Sequence, residues 1–151
     1  MTIERCTDAM LDDWLGLRRA LWPEPSADSH RDDIRDILGR SDCTAFVARD
    51  DDGRPIGLAE AALRHDYVNG CETSPVGFLE GIYVVPDQRS RGVAQALCST
   101  VEAWAREHGC SELASDTGLT NTAAQRAHAA MGFEEMERVI YYRKRLGPEM
   151  A

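Results

Sequence analysis

The chain has 151 residues, 43% of them hydrophobic, which excludes a disordered or fibrous protein and predicts one globular domain over residues 1–151. Acidic residues outnumber basic ones by 26 to 17, and the net charge of −9 disfavours nucleic acid and anionic membranes as partners. No apolar run reaches the roughly 18 residues of a membrane-spanning helix, and the first residues lack the apolar core of a signal peptide. We therefore expect a cytoplasmic protein.

The N-terminal part predicts a strand followed by two helices. Residues 2–6 are strand-like, and apolar residues recur at helical spacing from there to about Ala20. The run Trp-Pro-Glu-Pro at residues 22–25 ends this helix, because proline cannot continue it. A second helix is predicted over about residues 28–38, where isoleucines and a leucine share one side.

The middle of the chain predicts a β-hairpin and a central strand. Residues 44–49 and 55–63 are strand-like and enclose Asp52-Gly53, a pair typical of hairpin turns. Residues 76–85 are largely apolar on both faces, which is typical of a strand inside a sheet.

The C-terminal part alternates helices and strands. A helix with a buried apolar stripe is predicted over about residues 92–108, and Gly109 is a natural stop. A short strand over residues 112–115, a helix over 121–131 and a last strand over 137–145 follow. The order of elements predicts an α/β or α+β fold, with a mixed central sheet flanked by about four helices.

The five cysteines are scattered along the chain and include no C-x-x-C pair. An odd, unpatterned set of cysteines predicts neither a disulfide framework nor a zinc site. We expect reduced, mostly packed thiols and no bound metal.

The segment from Arg89 to Ala94 connects a predicted strand to a predicted helix and has the chemistry of an anion site. Gly92 lets the backbone approach a ligand, and the first amides of a helix have no partner within the helix. Those amides and the helix dipole stabilise a phosphate, and Arg89 and Arg91 add positive charge. The alternative is an exposed turn. The segment lacks both the G-K-[ST] of a Walker A loop and the three glycines of a dinucleotide fingerprint.

The spacing of Arg89, Gly92 and Ala94 resembles the Q/R-x-x-G-x-G/A motif of the GNAT superfamily of N-acetyltransferases. Asn121 and the alanine-rich helix after it resemble the second cofactor-contacting element of that superfamily. The resemblance implies the GNAT acyl-CoA N-acyltransferase fold, with acetyl-CoA as cosubstrate. Its pyrophosphate would meet the glycine loop, and its pantetheine arm would pair with a strand edge. The implied cofactor-binding residues are Ile82, Tyr83, Val84, Arg89, Arg91, Gly92, Val93, Ala94 and Asn121.

A narrower resemblance covers nearly the whole chain. The run Arg-His-Asp-Tyr-Val-Asn-Gly at residues 64–70 is the most specific of several blocks similar to aminoglycoside 6'-N-acetyltransferases. The other blocks include Arg18-x-x-Leu21-Trp22-Pro23, Phe78-Leu79-Glu80-Gly81, Ala114-Ser115-Asp116 and Gly132-Phe133-Glu134-Glu135. This resemblance implies acetyl transfer from acetyl-CoA to the 6'-amine of an aminoglycoside antibiotic. It also implies a homodimer, with the last strand as the candidate pairing element.

An aminoglycoside carries several ammonium groups, so its cleft should present carboxylates. The acidic candidates for substrate binding are Glu72, Glu80, Asp116 and Glu137, of which Glu80 and Asp116 are also candidate bases. Glu80 lies within an apolar strand, where the alternative is a buried partner for an arginine. The alternative for Asp116 is the capping of a turn.

Three further residues complete the predicted site. Trp22 and Tyr67 on loops suit the apolar face of a sugar ring and attract cations, although both can equally anchor their loops by packing. Many GNAT enzymes have a tyrosine acid four residues before the Gly-Phe pair, where this chain has His128. His128 is a candidate acid for the leaving thiolate, or a structural histidine.

Two alternatives to aminoglycoside acetylation stay open at this stage. An acetyltransferase of this fold can instead act on a polyamine, a peptide or another small amine. A binder of coenzyme A or of cations without catalysis is the third possibility. No cysteine has a base partner in the sequence, which favours direct transfer in a ternary complex over an acyl-enzyme.

Overall fold

A computed structural model describes residues 1–149, which form a five-stranded mixed sheet and four α-helices. The strands are β1 (Thr2–Arg5), β2 (Cys43–Arg49), β3 (Pro55–Arg64), β4 (Val76–Val84) and β5 (Leu113–Ser115). The helices are α1 (Leu11–Leu21), α2 (Ala27–Leu38), α3 (Val93–Glu107) and α4 (Thr122–Ala130), with short 3₁₀ turns at Asp8–Met10 and Pro86–Gln88. The strands lie in the order β1-β2-β3-β4-β5; the first four are antiparallel, and β5 is parallel to β4. The predicted mixed sheet with about four helices is confirmed.

The sheet is covered on both faces. On one face, Trp14 of α1 and Ile34 of α2 are fully buried in a cluster with Leu58 of β3. On the other face, Leu97 and Val101 of α3 are fully buried in a second cluster. The apolar stripe predicted for α3 is therefore the side of the helix that packs on the sheet.

Strand β4 contains a bulge and then separates from β5. In the pairing of β3 with β4, Glu60 lies opposite Gly81 and Ala61 lies opposite Leu79, so Glu80 is an extra residue. The last pair between β4 and β5 is Leu79 with Ser115. Beyond that pair β4 continues to Val84 while β5 ends, so this edge of β4 has no strand partner within residues 1–149.

The structure differs from the predicted elements at two places, the start of the first helix and the C-terminal segment. The first helix begins at Leu11, after a 3₁₀ turn, rather than directly after the strand-like residues 2–6. The predicted strand over residues 137–145 is wrong for the described chain, because residues 134–149 have no regular secondary structure. A strand needs a neighbour for its backbone hydrogen bonds, and this segment has none in the structure. Its tyrosines, Tyr141 and Tyr142, are 81% and 90% exposed.

No helix in the described part of the chain combines the length and apolar character needed to cross a membrane. The last two residues of the expected domain, 150 and 151, lie outside the described residues.

Candidate active site

The loop before α3 presents backbone donors to open space. Gly92 caps the helix with φ +84°, and Ser90 also has a positive φ of 62°. The amide of Ala96 donates to the carbonyl of Gly92 at 3.0 Å, so the amides of Val93 and Ala94 precede the first bond of the helix. A side chain built at Gly92 would meet no atom within 4 Å. Glycine is therefore favoured there by backbone conformation, and the loop can receive an anion.

The two arginines of this loop have different surroundings. Arg89 donates from Nε to the carbonyl of Val84 at 2.9 Å, and its guanidinium carbon lies 5.6 Å from the ring centroid of Tyr83. Arg89 thus ties the loop to the end of β4. Arg91 is exposed and forms no ion pair within residues 1–149, so its charge is available to a ligand.

The point where β4 and β5 separate gathers the three predicted catalytic residues. Glu80 directly follows Leu79, and Asp116 directly follows Ser115, so both come one residue after the last strand pair. His128 reaches the same place from α4, because its Nε2 lies 2.8 Å from Oγ of Ser115. The structure therefore brings together residues that are 48 positions apart in sequence.

His128 is held by three contacts that fix its ring. Its Nδ1 lies 2.7 Å from the carbonyl oxygen of Ala124, which only accepts, so Nδ1 carries a hydrogen. In the neutral ring, Nε2 then accepts the hydroxyl hydrogen of Ser115. The ring also lies 5.1 Å from that of Phe133. Ser115 is not among the predicted site residues, and its position beside Asp116 is the one signal for it in the sequence.

A cleft of about 470 Å³ opens on the face of the sheet that carries α1 and α2. Trp22 and Glu80, two of the predicted substrate-binding residues, line it. Three carboxylates of the lining were missed by the sequence analysis, and these are Asp33, Asp36 and Glu60. The first two lie on α2, whose alternating charges are typical of a solvent-facing helix surface. Only the packing of α2 across the sheet places them at the cleft.

The two glutamates of the cleft have opposite environments. Glu80 is an exposed residue, and its carboxylate accepts from Nη2 of Arg64 at 3.0 and 3.2 Å. Glu60 is only 3% exposed and is the buried partner of Arg18. The alternative considered for Glu80, a buried partner of an arginine, thus describes Glu60. The bulge accounts for this, because the extra residue shifts the alternation of faces along β4.

The other predicted substrate residues lie outside the lining of this cleft. Asp116 is exposed at the separation of β4 and β5, with no hydrogen-bond partner in the described chain. Tyr67 is 77% exposed on the loop before β4, and Glu72 lies on the same loop. Glu137 is exposed on the C-terminal segment. Within residues 1–149, no cluster of three or more His, Cys, Asp or Glu is placed to hold a metal ion.

Known proteins with similar sequences indicate the same family as this geometry does. The sequence profile of the Acetyltransferase (GNAT) family matches residues 9–133. The chain is 55% identical to an aminoglycoside N(6')-acetyltransferase type 1 of Serratia marcescens, over 94% of this chain and 97% of the relative. It is 51% identical to the enzyme of that name from Salmonella typhimurium, over 96% and 99%. The chain belongs to the GNAT family and, within it, to the aminoglycoside N(6')-acetyltransferases.

Solved structures of this family superpose closely on the chain. AAC(6')-Iy, in complex with the bisubstrate analog CoA-S-monomethyl-acetylneamine, has a TM-score of 0.92 and 50% identity, covering 96% of this chain and 98% of that one. Apo AAC(6')-IG from Acinetobacter haemolyticus has a TM-score of 0.93 and 42% identity, covering 97% and 100%. The predicted family and GNAT fold are confirmed.

A carboxylate holds the loop that carries Tyr67 in this acetyltransferase. Oε1 of Glu112 accepts from the backbone amides of Glu72 and Thr73 at 2.9 and 2.8 Å and from the Thr73 hydroxyl. The Thr73 hydroxyl, and then the Glu72 amide, hold the pKa of Glu112 below its usual value of 4.5. The carboxylate form therefore stabilises the loop.

We predict that this clamp opens in acid. Because the pKa of Glu112 is lowered by folding, its contribution is fully present above pH 4.5 and is lost as the pH falls through the lowered value. Normalised hydrogen-exchange protection of the Glu72 and Thr73 amides should therefore fall below pH 4.5. Glu112→Leu should show low protection at every pH. Protection that is equal in the two proteins would contradict the clamp.

The thiols of this acetyltransferase are poor nucleophiles. Burial raises the pKa of Cys6 to about 12 and that of Cys98 to about 11. Burial also raises the pKa of Cys43, Cys71 and Cys110. All five cysteines are free thiols. Since the thiolate is the attacking form, none of them is suited to carry an acetyl group at neutral pH.

We predict that the two partly exposed cysteines are dispensable. Cys43→Ser and Cys71→Ser should retain kcat/KM within about twofold, because direct transfer needs no protein thiol. Mass spectrometry of the protein after mixing with acetyl-CoA alone should show no thioester-linked acetyl group. A thioester on either cysteine, together with inactivity of its serine variant, would contradict direct transfer.

Proposed function

We propose that this single-domain protein transfers the acetyl group of acetyl-CoA to the 6'-amine of an aminoglycoside by direct transfer in a ternary complex. One observation carries the proposal. The edge of β4 beyond Leu79, which has no strand partner within residues 1–149, lies between the amide loop at Gly92 and an acid-lined cleft. The chain is also 55% identical to an aminoglycoside N(6')-acetyltransferase. This arrangement suits one anionic and one cationic ligand.

The proposed site for acetyl-CoA uses backbone groups above all. Amides from Arg91 to Ala94 would bind the diphosphate, with the charge of Arg91 beside them. The free edge at Ile82, Tyr83 and Val84 would pair with the pantetheine arm as a strand does. Asn121 uses its side-chain oxygen to cap α4, accepting from the amide of Ala124 at 3.1 Å, so its side-chain NH₂ group is left for the cofactor.

The proposed acceptor site places the aminoglycoside along the cleft. Trp22 would contact a sugar face, and Glu80 would bind an ammonium group in exchange with Arg64. Tyr67, Glu72 and Glu137 would act as outer anchors, since all three are exposed and can reorient toward a ligand. The negative field of the whole chain favours the approach of a polycation.

The proposed chemistry needs a neutral amine. Asp116, which has no partner within residues 1–149, would accept the proton as the nitrogen–carbon bond forms. Glu80 is already engaged by Arg64 and is better suited to anchoring an ammonium group. Backbone amides of residues 82–84 would stabilise the developing negative charge on the carbonyl oxygen.

His128 would supply a proton to the sulfur when the carbon–sulfur bond breaks. The protonated ring can donate from Nε2 to Ser115, whose hydroxyl then donates to the carbonyl of Leu79 at 3.1 Å. The neutral ring accepts from the same hydroxyl. To pass a proton on, the Ser115 hydroxyl would turn from Leu79 to the sulfur and give its hydrogen to the thiolate while it takes the Nε2 hydrogen of the protonated ring. The products of this step are the free thiol, a neutral His128 and an unchanged Ser115.

The test is a turnover assay with acetyl-CoA and kanamycin or tobramycin. Free thiol should be released in step with consumption of the drug, and product spectroscopy should place the acetyl group on the 6'-nitrogen. Preferred turnover of polyamines or peptides would replace this acceptor with another amine. Tight binding of coenzyme A without any turnover would favour a non-catalytic binder.

We infer that the active form is a homodimer built through the C-terminal segment. Residues 134–149 have no strand partner within residues 1–149, and Ile140, Tyr142 and Leu146 are 67%, 90% and 86% exposed. A segment that exposes these apolar side chains and its own backbone groups is stabilised by pairing with a second copy. Light scattering should give the mass of two chains, and removal of residues 137–151 should give a monomer. A monomeric full-length chain would exclude the dimer.

The proposed location is the cytoplasm. All five thiols are free, and a reducing compartment keeps them so. Fractionation of cells that express the chain should recover the activity in the cytosolic fraction, and recovery elsewhere would overturn this.

A further inference from the structure

A buried charge network joins α1, α2 and β3 in the wall of the cleft. Arg18 and Glu60 are 6% and 3% exposed. Arg18 donates from Nε to Oε2 of Glu60 at 2.6 Å and from Nη2 to Oε1 at 3.0 Å, a two-point ion pair. Trp14 donates to the same carboxylate at 2.8 Å, and Nη1 of Arg18 reaches Asp33 at 3.0 Å. Both charges are neutralised within the protein, so Glu60 is not available as a base or as an ammonium anchor.

His30 extends this network to the loop after α1. It is 1% exposed, and its Nδ1 lies 3.0 Å from Nη1 of Arg18, which can only donate. Its Nε2 lies 2.9 Å from the carbonyl oxygen of Trp22, which can only accept. These two partners fix the neutral tautomer with hydrogen on Nε2. His30 therefore connects the guanidinium of Arg18 to the backbone of Trp22.

The ring of Trp22 is held against the bulge of β4. The guanidinium carbon of Arg18 lies 4.9 Å from the centroid of the ring. A Cβ atom at Gly81 would lie 2.6 Å from Cη2 and Cζ2 of Trp22, so the ring occupies the space of a side chain there. Gly81 directly follows Glu80, where the strand opens toward the proposed thioester site. Trp22 is thus anchored at its carbonyl by His30 and at its ring by Arg18 and Gly81.

We propose that Arg18, Glu60 and His30 are positioning residues that preorganise Trp22 as the wall of the acceptor cleft. They set the affinity for the aminoglycoside and not for acetyl-CoA. This inference rests on the proposed function, in which Trp22 contacts the acceptor. Fixing a loop before the ligand arrives removes the entropy loss that ordering it on binding would require. The network is separate from the amide loop at Gly92, so cofactor binding does not depend on it.

The test compares His30→Leu with His30→Gln. Leucine removes both hydrogen bonds without leaving an unpaired buried charge, whereas glutamine keeps an acceptor and a donor. The leucine variant should raise the KM for kanamycin about tenfold while the calorimetric Kd for coenzyme A stays within about twofold. The glutamine variant should recover most of the lost affinity, and the unchanged Kd for coenzyme A separates positioning of Trp22 from a general loss of structure.

Fluorescence quenching supplies a readout that needs no activity. Of the three tryptophans, Trp14 is 0% and Trp104 is 4% exposed, so collisional quenching by acrylamide reports mainly on the partly exposed Trp22. His30→Leu should increase the quenching constant, and His30→Gln should bring it back toward the wild-type value. Both changes follow from release and recapture of the Trp22 loop.

Arg49→Leu is the matched control. Arg49 also ties α1 to the sheet, donating to Asp13 at 2.9 Å, but it lies outside the cleft lining. This variant should lower stability and leave both the KM for kanamycin and the quenching constant unchanged. Unchanged KM and quenching in a folded His30→Leu protein would overturn the inference. If the wild-type protein acetylates no aminoglycoside, the proposed function fails, and the quenching comparison still decides whether the network positions Trp22.

Discussion

Gly92→Val should abolish detectable binding of coenzyme A in a protein that still folds. Gly92 has φ +84°, and a residue with a Cβ costs roughly 1–2 kcal/mol in the left-handed region, more for a β-branched one. When the backbone relaxes to relieve that strain, the amides of Val93 and Ala94 no longer point together toward the anion site. Loss of two charge-assisted hydrogen bonds, each about 1.5–3 kcal/mol, corresponds to a weakening of at least about 100-fold. Isothermal titration with coenzyme A measures this.

The control for this variant is Gly109→Val, at the other end of the same helix. Gly109 has φ +81°, and, as at Gly92, a side chain built there meets no atom within 4 Å. The backbone strain is therefore the same, but the loop at the start of α3 is untouched. Similar thermal destabilisation of both proteins, with loss of coenzyme A binding only for Gly92→Val, is expected. Equal retention of binding would show that the diphosphate is held elsewhere.

The parts of the site that the sequence could predict are local ones. The strand, glycine loop and helix around Gly92 are consecutive, so their geometry follows from backbone rules for each residue in turn. The cap of α4 by Asn121 and the buried stripe of α3 are local in the same sense. These predictions needed no knowledge of which elements pack together.

The parts that the sequence could not give depend on distant contacts. Nothing near Glu60 in the sequence shows that Arg18, 42 residues away, would meet it, so a buried arginine partner is an alternative only for Glu80 at that stage. The bulge at Glu80, which leaves Glu80 exposed while Glu60 is buried, is defined by the pairing of β3 with β4 and cannot be seen in either strand alone. The C-terminal segment has strand-like residues but no partner within residues 1–149, and a strand is a property of a pair.

Asp116→Asn should lower kcat/KM about 10²- to 10⁴-fold at neutral pH, the range expected for loss of a general base. The amide has the size of the carboxylate but cannot accept the amine proton. Asp116 is exposed and has no hydrogen-bond partner within residues 1–149, so the fold should not change. Affinity for coenzyme A should also stay the same. Asp116 follows β5, whereas the amide loop that would bind the diphosphate lies between β4 and α3. Calorimetry and steady-state kinetics give the two quantities separately.

The pH dependence distinguishes a base from an ammonium anchor. Raising the pH increases the neutral fraction of the acceptor amine, so a protein without its base should recover activity in alkali relative to the wild type. Loss of an anchor would instead raise KM while kcat is kept, which is the pattern we expect of Glu80→Gln. Asp52→Asn, on an exposed turn far along the chain from the site, makes the same chemical change and should leave every parameter unaltered. Full activity of Asp116→Asn at neutral pH would remove Asp116 from the chemistry and leave bound water as the proton acceptor.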